Sequence, residues 1–216
     1  MKNVLVIEDN VDESIRAQDE LVRAGVGEFR AVATLSEGLS LMPKYNLVLS
    51  DLFFPAGDIP TEQYSQKFMP LYEQFKQRKF MATDKSKVVF GAIEQCARIF
   101  GVTPQEYVER YMPMMNTSES VTKAARQALT GIKDPVGYEK FQKIEGGIRS
   151  GANLPLGIIA TGRATELGKS SVIVTSTFHH DDAFEPVRNL ITVPYCDTLV
   201  DGKKDWNGGI EKLLSR

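Results

Sequence analysis

The chain is poor in the residues that build covalent or metal frameworks. It has two cysteines, Cys96 and Cys196, two histidines and one tryptophan in 216 residues. Two distant cysteines without metal-type spacing exclude a disulfide framework and a thiolate zinc cluster. They leave either one disulfide or two thiols, and we read them as thiols in a reducing compartment. No apolar run approaches the roughly 20 residues of a bilayer-spanning helix. The opening MKNVLVIEDN meets acids too soon for the core of a secretory signal, so a cytoplasmic location is expected. An excess of one charge is also missing. Against 26 basic residues stand 28 acidic ones, a net −2, which excludes nucleic-acid binding driven by bulk charge. There is no internal repeat. What remains, 42% hydrophobic and 25% charged, is the make-up of one large globular domain or two small ones.

The first 57 residues alternate two patterns. NVLVIED is a short apolar run ended by acids, as expected of a strand covered on both faces. The following VDESIRAQDELVRAG places Ile15, Leu21 and Val22 near one helical face, with acids in the first turn and Gly25 as a stop. EFRAVAT reads as a strand, SEGLSLMPKY as a short helix and NLVLSD as a third buried strand. A β-α-β-α-β order predicts a parallel sheet with right-handed crossovers.

From residue 58 to residue 150 strand patterns vanish and about five helices are expected. Pro70 should kink or break the first; Thr103, Pro104 and Glu106 form a capping box. This segment carries 14 basic and 11 acidic residues, the remainder 12 and 17, so a mildly basic helical insertion interrupts an acidic α/β host. The basic run from Lys76 to Phe80 reads as a solvated helix end. The α/β pattern resumes with a helix in LPLGIIATGRATELGK, a strand in SSVIVTST, a loop with a short helix, a fifth strand in LITVPYC and a last helix in DWNGGIEKLLSR.

In an open parallel sheet, ligands bind beyond the carboxyl ends of the strands. Glu8 and Asp9 follow the first strand and Asp51 the third, so three carboxylates are expected in one pocket. Their repulsion calls for a cation or a proton among them, and oxygen-only ligands favour Mg²⁺ or Mn²⁺. The alternative for any single acid is a helix cap or a solvated side chain.

VLVIEDN, NLVLSDLFFP and VIVTS resemble the signature strands of response-regulator receiver domains, over residues 1–57 and 151–216. The resemblance implies a CheY-like, flavodoxin-like five-stranded parallel sheet with helices on both faces. It implies a two-component signalling role with Asp51 as phosphoacceptor, and Asp51 to Pro55 matches the family spacing. It makes Asp9 a direct Mg²⁺ ligand and Glu8 its outer partner, adds the Phe53 carbonyl as a backbone ligand, and gives the phosphoryl hydrogen bond to Thr175, with Ser176 as the alternative. Implied partners are a histidine kinase or other phosphodonor and an output partner. The helical insertion is expected to serve as output or docking element; a dimer is possible, and neither nucleic acid nor membrane is expected.

The family pattern fails in three places, one being the roughly 90-residue insertion directly after the phosphoacceptor loop, where ordinary receivers have only a few residues. Val193 stands where the resemblance expects a lysine before proline on the fifth strand, and Leu190 replaces an aromatic switch residue. Lys203 and Lys204 are candidates to replace the missing charge, the alternative being ordinary surface lysines. His179 and His180, in the loop beside the pocket, either contact it, ligate a metal, or cap the short helix or face solvent. A metal held by histidine would shift the preference to Mn²⁺, Fe²⁺ or Zn²⁺. Three functions stay open: a phosphorylated receiver, a pseudo-receiver that binds without phosphotransfer, and a metal-dependent phosphatase with Asp51 as nucleophile. The phosphatase resembles haloacid-dehalogenase-like enzymes, which want a second Asp where Phe53 stands.

Overall fold

A computed structural model describes residues 2–57, 59–81, 84–178 and 180–215. It divides into two compact units: Met1–Leu71 with Ile144–Arg216, and Tyr72–Lys143.

The first unit is an α/β layer structure. Its strands are β1 (Asn3–Ile7), β2 (Glu28–Val32), β3 (Leu47–Ser50), β4 (Ser170–Val174) and β5 (Tyr195–Cys196). All pair in parallel in the order β2-β1-β3-β4-β5, the doubly wound, flavodoxin-like arrangement. The helices are α1 (Val11–Arg23), α2 (Leu35–Leu41), the first part of α3 (Thr61–Lys79), the last part of α8 (Pro135–Ser150), α9 (Gly157–Glu166) and α10 (Trp206–Leu214). Val4 to Ile7 are all fully buried, because helices cover both sheet faces. Val4, Val6, Leu49, Val172 and Val174 pack with Leu21 of α1 and Trp206 and Ile210 of α10. Burying a leucine such as Leu21 contributes about 1.5–3 kcal/mol.

Three local expectations change. In α1 the buried residues are Ala17 and Leu21, one turn apart, while Ile15 and Val22 are 51% and 63% exposed. The sheet therefore takes a narrower stripe than the sequence offers. Pro70 does not end α3, which runs unbroken to Lys79. The fifth strand shrinks to Tyr195–Cys196, preceded by a 3-10 helix at Glu185–Leu190. Prolines at 186 and 194 bound this stretch and lack the N–H that a longer ladder needs. Beyond β5, β6 (Leu199–Val200) and β7 (Lys203–Lys204) form an antiparallel hairpin. Its two-residue turn, Asp201-Gly202, has φ of 52° and 73°, the left-handed pair that a type I′ turn requires and that Asp-Gly supplies.

The second unit is helical. It holds α4 (Asp84–Phe100), the short α5 (Pro104–Glu106) capped by Thr103, a π-helical turn at Tyr107–Tyr111, α6 (Met112–Met114) and α7 (Glu119–Thr130), with the adjoining parts of α3 and α8. Ile93 and Ala97 of α4 pack with Ala125 and Ala128 of α7 and with Tyr107 and Val108. A second cluster stacks Tyr72, Phe75, Phe80 and Phe141, with ring centroids 5.1–6.3 Å apart.

Candidate functional site

The strand order places β1 between β2 and β3, so connections leave β1 and β3 toward opposite sides of the sheet. The crevice at their carboxyl ends is the topological switch point where such sheets bind ligands. Glu8 leaves β1 with its amide on the Val32 carbonyl (3.0 Å), and Asp51 leaves β3 with its amide on the Ile7 carbonyl (2.9 Å). The ladder thus sets both acids at one level. Glu8, Asp9 and Asp51 converge as expected, with one carboxylate oxygen from each lying within 4.8 Å of the others.

The fourth member is Lys204. Its ammonium donates to Glu8 Oε2 at 2.5 Å and to Asp51 Oδ2 at 2.8 Å. Only 5% of this residue is exposed, so it is no surface lysine. Lys203 lines the rim of the same cleft and is exposed. The remaining oxygens of the two buried acids are also occupied: Glu8 Oε1 accepts the Asn10 amide (3.0 Å) and Asp51 Oδ1 accepts the Leu52 amide (2.7 Å). Asp9 is half-buried and has no hydrogen-bond partner among the described residues.

Burial dominates the electrostatics. It pushes Glu8 up to about 7, helped by the Asp51 charge and opposed by Lys204. It pushes Asp51 up to about 6 against the pull of Lys204 and the Leu52 amide. Burial pulls Lys204 down, but the two carboxylates outweigh it and hold the ammonium above its ordinary value. Three carboxylates and one ammonium leave a formal −2, a charge that one divalent cation balances. With oxygen donors only, the group fits Mg²⁺ or Mn²⁺. The Phe53 carbonyl accepts no hydrogen bond from the described residues, which leaves it open as a backbone ligand.

The acids open onto a cleft of about 340 Å³ lined by Asn10, Glu13, Ser176, Gly202 and Lys203 besides the acids and Lys204. Of the two hydroxyls at the end of β4, Ser176 lines this cleft. Thr175 is buried and its Oγ1 accepts the Thr177 amide at 3.1 Å. His180 is exposed and stacks on Phe178 with ring centroids 5.8 Å apart; it does not join the acid group. His179 lies outside the described residues.

Val193 precedes β5, and the residue paired with Val174 at the carboxyl edge is Cys196. A match of VP to a lysine-proline motif therefore compares residues at different heights on the sheet. The cation at the rim comes from β7. What holds it there is a set of local bonds. Asp205 caps α10 by accepting the Gly208 amide (2.8 Å) and also accepts the Thr198 hydroxyl (2.8 Å), tying the hairpin base to the helix. Trp206 donates Nε1–H to Glu13 at 2.9 Å, and its ring lies 5.8 Å from the Lys204 ammonium. The Asp-Gly turn signal in DGKK could have revealed the hairpin; the burial of Lys204 has no local signature.

No helix among the described residues is long and apolar enough to cross a membrane. Comparison with protein-family models, with curated proteins and with solved structures finds no match.

Proposed function

We propose that this chain is a receiver-like signalling protein of two-component type that takes a phosphoryl group on Asp51. The observation that carries the reading is the convergence of Glu8, Asp9 and Asp51 with Lys204 at the carboxyl edge of β1 and β3. Asp51 attacks phosphorus, an Asp51 oxygen–phosphorus bond forms, and the bond from phosphorus to the donor's leaving atom, an oxygen in acetyl phosphate or a ring nitrogen in a phosphohistidine, breaks. The product is an acyl phosphate, and the donor departs with the electron pair. Lys204 offers a positive charge beside Asp51, and the Ser176 hydroxyl, which lines the cleft, would donate to a phosphoryl oxygen. Asp9, Glu8, Asp51 and the Phe53 carbonyl would hold a divalent cation, which supplies neutralisation of the equatorial oxygens. The product's two negative charges give a local electrostatic switch.

The pseudo-receiver reading rested on the missing lysine, and Lys204 weakens that ground. The test is intact mass after incubation with acetyl phosphate and Mg²⁺. A gain of one phosphoryl group, absent in Asp51→Asn, is expected. No gain with any divalent metal would favour a binding module, and Asp51-dependent turnover of p-nitrophenyl phosphate would favour a hydrolase. Phosphodonor and output proteins are the expected partners.

A further inference from the structure

The segment after Asp51 is buried and tied to a second stretch of backbone. Asp51, Leu52, Phe53, Phe54 and Ala56 are all buried. Beyond Asp51, whose amide pairs with Ile7, backbone hydrogen bonds join Leu52, Phe54 and Ala56 to Gly151–Gly157. Phe54 and Leu154 exchange both backbone hydrogen bonds at 3.1 Å, the Ala56 amide donates to the Gly151 carbonyl at 2.8 Å, and the Gly157 amide donates to the Leu52 carbonyl at 3.1 Å. Gly157 opens α9 against the site: a methyl group there would overlap the Asp51 carbonyl oxygen and lie 2.9 Å from Leu52 Cα. No slack separates the acid from this seam.

The seam continues directly into α8, whose last residues are bolted to α3. The buried Ser65 hydroxyl donates to the Ile148 carbonyl at 2.8 Å. The chain enters the helical unit along α3 and returns along α8, and the division between the units falls just after Pro70. Pro70 lacks the N–H that would bond back to Gln66, so α3 is weakest in backbone bonding there.

We infer that occupancy of the Asp51 site is read out through the Gly151–Gly157 seam at the roots of α3 and α8. The site thereby controls the helical unit through the backbone that follows the phosphoacceptor. This inference rests on the reading of the acidic site given above. Its physical basis is that a change in charge at Asp51 displaces a buried stretch tied to its neighbour by four backbone hydrogen bonds, since packed interiors transmit strain. Coupling is reciprocal, so a change in the seam must alter ligand binding at the acids by the same factor.

The experiment measures Mn²⁺ binding to the full chain by the loss of its free-ion magnetic-resonance signal. Amide hydrogen exchange is then followed with and without saturating Mn²⁺ and trifluoroberyllate, an inorganic phosphoryl mimic. Exchange at residues 54–56, 61–71 and 144–157 is expected to slow by about fivefold or more, the lower end of typical site-to-site coupling. In parallel, Gly157→Ala is expected to weaken Mn²⁺ binding by a similar factor. Gly162→Ala, on the same helix with open space around it, is expected to leave binding unchanged. If Mn²⁺ binds and exchange slows only beside the acids, the inference is wrong and the acidic-site reading stands. Equal Mn²⁺ affinity in folded Gly157→Ala and the wild type overturns it likewise. If no metal binds, the reading of the site fails, and the inference with it.

Discussion

Replacing Lys204 by methionine removes one charge while keeping most of the side chain's volume. In the wild type this ammonium lies between Glu8 and Asp51 at 2.5 and 2.8 Å, almost wholly buried. Breaking a buried pair by removing one partner costs about 3–5 kcal/mol, because a charge is left uncompensated. That cost depends on the acids being ionised. Glu8 and Asp51 are pushed up to about 7 and about 6, and loss of the lysine raises both further. At pH 8 the metal-free variant should therefore lose about 3–5 kcal/mol. At pH 5 both acids hold protons, and the loss should fall to about 1–2 kcal/mol, the worth of two hydrogen bonds. Mg²⁺ at a hundred times its dissociation constant should return about 2.7 kcal/mol at pH 8. The metal should also bind more tightly than in the wild type, since it no longer competes with an ammonium. Urea denaturation at the two pH values, with and without Mg²⁺, gives all three numbers. An equal loss at pH 5 and pH 8, with no gain from Mg²⁺, would refute the assignment of Lys204 as the counter-charge of the acids.

Four further outcomes are expected. Folded pKa values above the unfolded ones mean that the native state binds more protons, so Glu8 and Asp51 contribute stability below about pH 4 that is lost as pH rises through 6 to 7. In metal-free protein this slope, taken from denaturation midpoints, should flatten in Glu8→Gln. Labelling of Asp51 by acetyl phosphate should slow by about 10²-fold or more in Lys204→Met, the usual cost of removing one stabilising donor from a transition state. Gly202 sits at φ 73°, so Gly202→Val should cost at least 1 kcal/mol and slow labelling by shifting Lys204; full-speed labelling would show that the hairpin does not place the lysine. Phe80→Ala opens the aromatic cluster of the helical unit and should lower its stability by about 3–5 kcal/mol, read as an earlier loss of helical circular dichroism.

Much of the sheet could be read along the chain. Runs such as Val4–Ile7 and Leu47–Ser50 are apolar at every position because both faces are covered, and the acids that end them mark the carboxyl edge. Glu8, Asp9 and Asp51 were legible as a group because parallel ladders bring neighbouring strand ends to one level. The fifth strand was legible but its extent was not: Ile191 to Val193 carry strand-type side chains, yet hydrogen bonding to β4 begins only at the Pro194 carbonyl. That register moved Val193 below the rim and put Cys196 at it.

By itself, the sequence determined the alternation of strands and helices, the helical stretch between β3 and β4, and the three acids at the sheet's edge, because these follow from local periodicity and the geometry of parallel pairing. Only the tertiary structure decided which cation meets those acids. Lys204 and Glu8 are 196 positions apart, and their meeting depends on a turn with two left-handed residues and on a capped helix behind it. A lysine carries no local sign of burial, since its cost is offset by partners that the chain brings together only on folding.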